Sequence, residues 1–140
     1  MAIKYSVQQK SQAGIKGGGH RKYYASVVNS GEVTIDDMVR DIQEICSLSE
    51  PNIRATVAAF ETVIKNKLTD SLVVRLDELG AFYPALSSEG KTNEEDVNET
   101  CIRKVGINYR PDSRMIRAMK QAGYAKVIPE KKKKRKKDRD

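Results

Sequence analysis

Leu72-Val73-Val74-Arg75-Leu76-Asp77-Glu78-Leu79-Gly80-Ala81-Phe82-Tyr83-Pro84-Ala85-Leu86 is the stretch in which the chain changes period. Upstream, apolar residues recur every three to four positions. Here they crowd into short runs broken by turn residues. Residues 72–76 read as a strand rich in β-branched side chains, Asp77-Glu78-Leu79-Gly80 as a turn, and residues 81–86 as a second strand. Pro84 lacks a backbone donor, which implies an edge position or a bend.

Working back from this hairpin, Ile35, Met38, Val39, Ile42, Ile45 and Cys46 fall at helical spacing and predict a first helix from about 35 to 48. Thr34 offers its N-cap, and Asp36 and Asp37 complement the dipole in the first turn. Ser49 caps a second helix with Pro51 in its first turn, where a missing N–H is harmless. Its apolar stripe is Ile53, Val57, Phe60, Ile64 and Leu68, and it ends near Thr69. The short connection between the two predicts an αα-hairpin.

Working forward, residues 89–99 hold five Asp/Glu against the single Lys91. Residues 100–109 read as a third strand, and Arg110-Pro111-Asp112 ends it. Asp112 or Ser113 then caps a last helix with Met115, Ile116 and Met119 on its inner face, closing near Gly123. At the other end of the chain, 3–8 and 23–28 read as two strands around a basic, glycine-rich connection, residues 14–22. That connection lacks the Gly-Lys-Ser/Thr ending of a phosphate loop. Its His20 is the only histidine and has no neighbour at ligand spacing.

The C-terminus carries most of the net charge of +7. Residues 130–140 contain eight Lys/Arg and three Asp/Glu, which leaves 18 basic and 16 acidic residues in 1–129. The body is nearly neutral. The tail reads as a DNA-affinity arm, an RNA- or ribosome-associated arm or a solubilising end, and as an arm it would bind polyanions without base selectivity. Charges at this density do not pack, so the tail is expected to be disordered until it meets an anion.

Cys46 and Cys101 fit no metal or redox spacing, and Cys46 reads as a buried free thiol. There is no nucleophile–base pair, metal cluster or phosphate loop, so the chain is read as a non-enzyme without cofactor, metal or small-molecule substrate. No apolar run reaches membrane-spanning length, and the N-terminus lacks a signal-peptide pattern, which points to the cytoplasm, or wherever a nucleic-acid partner of the tail is. The tyrosines Tyr5, Tyr23, Tyr24 and Tyr83 are assigned to core or dimer-seam packing.

The order helix, helix, strand, strand, hairpin, strand, helix is an α+β plan. Its thin sheet and wide apolar helical face call for a second copy. From about 34 to 123 the chain resembles the HU and integration host factor family of bacterial histone-like proteins. The resemblance rests on the paired helices of 42–68, on residues 73–82 with the ending Gly80-Ala81-Phe82, and on Val105-Gly106-Ile107-Asn108-Tyr109-Arg110-Pro111 before a helix. The added N-terminal strands resemble the HU-related proteins of the Bacteroides group. The resemblance implies an HU-like fold: a helical hairpin, a three-stranded antiparallel sheet with a protruding β-arm, a C-terminal helix and a two-stranded N-terminal extension, in an intertwined dimer. The implied boundaries are an extension at 1–30, an HU-like domain at 31–128 with its arm at about 85–105, and a tail at 129–140.

Family arms are arginine-rich with a proline tip that wedges between base pairs. This arm is acidic and has no proline, and carboxylates facing phosphates weaken a complex. The DNA-binding candidates are therefore Arg75, Arg103, Lys104, Arg110, Arg114 and Arg117 in the body. To these the tail adds Lys131, Lys132, Lys133, Lys134, Arg135, Lys136 and Lys137. The expected function is non-sequence-specific binding and condensation of double-stranded DNA by a homodimer, as a nucleoid-associated architectural protein. Two alternatives stand beside it: an HU-like interaction module whose acidic arms contact a basic protein, and an RNA-binding protein.

Overall fold

A computed structural model describes residues 1–11, 14, 16–19 and 21–128. Within these the order is β1 (Ile3–Lys10), β2 (Lys22–Val27), α1 (Ile35–Ile45), α2 (Glu50–Thr69), β3 (Val74–Leu76), β4 (Gly80–Ser88), β5 (Ile102–Pro111), α3 (Ser113–Ala122) and β6 (Tyr124–Lys126). Two compact units result: Met1–Glu32 with the segment from Met119 onward, and Val33–Ala118.

In the larger unit, α1 begins with a capping box. Thr34 Oγ1 accepts from the Asp37 N–H, and Asp37 accepts in return from the Thr34 N–H. The helix stops at Ile45, three residues before the expected end, because Cys46 turns extended and Ser49 must be extended to start α2. Arg54 joins the two helices, reaching Asp36 of α1 at 2.6 Å and Glu50 at 3.0 Å. Val39 and Ile53 are the buried residues of the pair.

The exit from α2 explains why β3 starts later than residue 72. Ser71 adopts a left-handed φ of 66°, and Leu72 N–H is still bonded to the Lys67 carbonyl. β3, β4 and β5 then form an antiparallel sheet in that order. Gly80 fixes its corner. Its φ is +129°, and a Cβ there would lie 2.2 Å from the Arg110 carbonyl oxygen. Only glycine lets β4 approach Pro111 and Asp112 this closely. Tyr109 Oη donates to the Leu79 carbonyl at 2.6 Å and ties the same corner from the β5 side.

The expected arm at about 85–105 is paired only as far as Ser88 opposite Ile102. Beyond that, the Glu89 N–H bonds the Cys101 carbonyl, and the chain makes two single 3-10 turns, Glu94–Asp96 and Glu99–Cys101. The third strand accordingly begins at Ile102, not Thr100. Asn98 accounts for part of this change: its side chain accepts from the Thr100 N–H and offers the backbone a turn in place of a ladder. Cys101 is buried beneath the turns with its thiol 3.5 Å from the Asp96 carbonyl, whereas Cys46 is only half-buried.

The smaller unit corrects the two-stranded extension. β1 pairs with β2 and also, in parallel, with β6, giving the order β2-β1-β6. Gly123, with φ 75°, releases the chain from α3, and its carbonyl accepts from the Ile3 N–H at 2.9 Å. Tyr124–Lys126 is too short to show a period, and it lies over a hundred residues from its partner in sequence.

Candidate nucleic-acid interface

The ladder register sorts the larger sheet into two chemically different faces. Residues directly opposite on paired strands share a face, and alternate residues along a strand return to it. Arg75 pairs with Ala81, and Ala81 with Arg110, so two arginines flank one buried alanine. Tyr83 opposite Asn108 comes next, then Ala85 opposite Gly106, then Ser87 opposite Lys104. At about 3.4 Å per residue, Arg110 to Lys104 spans roughly 20 Å, close to six base-pair rises.

Within this row the Arg110 guanidinium carbon lies 4.8 Å from the centre of the Tyr83 ring. Stacking orients the planar fork without consuming its hydrogen-bond donors. Tyr83, expected in core or dimer-seam packing, is half-buried and supports Arg110. The signal for it in the sequence was its place two residues from Ala81 on β4. Among the described residues, Arg75, Lys104, Arg110 and Arg117 make no ion pair.

Arg103 and Arg114 differ. Arg103 is the extra residue at the bulge where Ser87 and Ser88 shift register, and it lies 3.6 Å from Glu89. Arg114 places its backbone N–H and its Nε each 2.9 Å from one Asp112 oxygen and reaches Glu78 at 3.6 Å. These bonds hold the Asp112 carboxyl below its ordinary value: the Arg114 backbone bond first, then its side-chain bond, with the charges of Arg114 and Arg75 adding to the effect. Arg114 therefore serves the start of α3. Arg117 follows one turn later on the exposed helix surface. Residues 131–137 of the tail lie outside the described residues.

The opposite face of the sheet is apolar. Phe82 and Tyr109 pack with ring centres 5.3 Å apart. With α2 this face frames an open groove of about 970 Å³, lined by Ile64, Leu68, Phe82, Leu86, Val105 and Ile107 among others. Leu86, Val105 and Ile107 are 63%, 76% and 59% exposed.

A helical hairpin feeding a sheet with one cationic and one apolar face, closed by a helix, defines an HU-related α+β protein. The chain belongs to the family described as "HU domain fused to wHTH, Ig, or Glycine-rich motif", whose model it matches over residues 1–126. A crystal structure of a "Putative bacterial DNA binding protein" from Bacteroides vulgatus ATCC 8482 shares the fold, with a TM-score of 0.64 at 7% identity. The match covers 90% of this chain and 48% of that one, so the chain spans about half the length of that protein. No curated protein matches. No helix among the described residues is long and apolar enough to cross a membrane.

Proposed function

We propose that the protein is a homodimeric, non-sequence-specific double-stranded DNA-binding protein of the histone-like, nucleoid-associated kind. The row Arg75–Arg110–Tyr83–Asn108–Lys104 on one sheet face carries this reading. Tyr83 orients Arg110, Arg75 and Arg110 make no ion pair among the described residues, and a cationic strip of this length matches a run of phosphates. Arg117 and the tail residues 131–137 add charge. Arg103 and Arg114 contribute less, because carboxylates already engage them. The acidic turns at 89–101 supply one cation, Lys91, already paired with Glu89, and no proline wedge, so this protein bends DNA less than a proline-tipped arm would.

The opposite face supports the homodimer. Leucine, valine and isoleucine side chains left this exposed around a groove of about 970 Å³ are the material of an obligate interface. A second copy, covering the groove with its own β4–β5 edge and α2, would leave the cationic faces outward.

Fluorescence anisotropy with labelled duplexes of several sequences at low salt tests this reading. Comparable affinities across sequences are expected, and absence of binding by the full chain overturns it. Deleting residues 130–140 separates the body from the tail. A truncated dimer that still binds duplex DNA with a salt slope of several charges supports the body as the binder. Complete loss favours an interaction module whose tail is a separate adhesive.

A further inference from the structure

We propose that the exposed face of the β2-β1-β6 sheet binds single-stranded nucleic acid by stacking unpaired bases on Tyr23 and Tyr124. This surface is separate from the cationic row of the larger sheet and does not depend on that row's function. Register puts Tyr124 and Ile3 in one row of the face, Lys126, Tyr5 and Val27 in the next, then Val7 with Ala25, then Gln9 with Tyr23. Tyr23 and Tyr124 are 71% and 72% exposed, and Val27 is 67% exposed. Tyr23, expected in core or dimer-seam packing, is thus not in the core of this chain. A shallow depression of about 490 Å³ lies between Tyr124, Tyr5 and Val27, open to a flat ring.

Charge selects the occupant. The three strands carry no carboxylate; Lys126 shares the face of Tyr23 and Tyr124, while Lys4, Lys10 and Lys22 alternate onto the opposite face. Residues 1–31 as a whole hold five Lys/Arg and no Asp/Glu, in a chain that has 19 acidic residues elsewhere. A surface with Lys126 on it, in a segment free of carboxylates, favours an anionic occupant over an apolar one. A polyphosphate chain meets that charge, and exposed tyrosines on a sheet give its bases a platform. A duplex hides its base faces, so the ligand must be unpaired. Tyr23 and Tyr124 sit opposite Gln9 and Ile3, six residues apart along β1 or roughly 20 Å, within the span of a site of at least about four nucleotides.

The chain has no tryptophan, so Tyr23→Trp installs a single fluorophore on this face. In the full-length protein, titration with a 20-nucleotide oligothymidylate should quench its emission, and a blunt duplex of equal length should not. Binding through the basic tail alone brings no base against this ring and leaves the emission unchanged. In parallel, Tyr23→Ala/Tyr124→Ala should weaken the single strand about 30-fold or more. Tyr23→Phe/Tyr124→Phe should stay within about twofold, and all variants should keep duplex affinity. Absence of quenching overturns the proposal, as does equal quenching by the duplex. A shift in sedimentation of the alanine variant, with oligothymidylate affinity unchanged, also overturns it and marks the face as a contact between copies.

Discussion

Gly80→Ala is the perturbation that bears hardest on how the cationic face is built. A β-carbon at Gly80 would sit 2.2 Å from the Arg110 carbonyl oxygen, 2.8 Å from the Pro111 Cα and 2.9 Å from the Asp112 nitrogen. All three are backbone atoms of the β5–α3 junction, so no side-chain rotation relieves the contact. The φ of +129° adds a conformation that alanine rarely adopts. Overpacking costs about 1–3 kcal/mol and a strained backbone a further 1–3 kcal/mol, so a loss of about 3 kcal/mol or more is expected. Urea denaturation followed by circular dichroism, at one fixed chain concentration because the proposed dimer would contribute, reads this directly. Gly106→Ala is the control: nothing lies within 4 Å of its added Cβ and its φ is not positive, so it should change stability by no more than about 0.5 kcal/mol. A Gly80→Ala protein with the wild-type midpoint would refute the claim that this corner sets the pairing of Ala81 with Arg110.

Other expectations follow from the same contacts. Thr34→Ala removes the capping box of α1 and should lower stability by about 1 kcal/mol in the same denaturation assay. Tyr109→Phe deletes the donor to the Leu79 carbonyl while keeping the ring beside Phe82, and should cost about 1 kcal/mol. Asp37 and Asp112 are both held below the ordinary carboxylate value, Asp37 chiefly by the Thr34 backbone N–H and Asp112 chiefly by that of Arg114. Their folded pKa values lie below the unfolded ones. The stabilisation is therefore complete above the unfolded value and is lost as pH falls through the folded one. Urea midpoints measured from pH 7 to pH 2.5 should be flat at first and decline below about pH 4, and Thr34→Ala should flatten part of that decline.

Much of the larger unit was legible because its signals are local. Thr34 with Asp37, Pro51 in a first turn, and Gly80-Ala81-Phe82 each report a conformation that neighbouring residues demand. The two faces of the sheet were legible in principle, since period-two alternation along 81–87 and 104–110 separates Arg110, Asn108 and Lys104 from Tyr109, Ile107 and Val105. Placing Arg75 and Arg110 in one row on either side of Ala81 needed the register, which the close approach at Gly80 sets. β6 was hidden because three residues carry no period and their partner, β1, is remote in sequence. The acidic arm misled for another reason. Its length fitted a ribbon, but Asn98 at the start of the second turn takes a local side-chain bond from the Thr100 N–H in place of strand pairing. Arg103 and Arg114 looked like Arg110 as letters; only the positions of Glu89, Glu78 and Asp112 distinguish them.

The salt dependence of duplex binding by Arg75→Ala/Arg110→Ala, compared with the unaltered full-length protein, tests the central claim most directly. Removing two guanidiniums per chain removes four from a dimer. If both copies face phosphates, the slope of log K against log salt should shrink by about 3.6, or 0.9 for each charge lost, with affinity falling alike on every sequence. An unchanged slope with the fold intact would contradict the account, because the cationic row would then touch no phosphate.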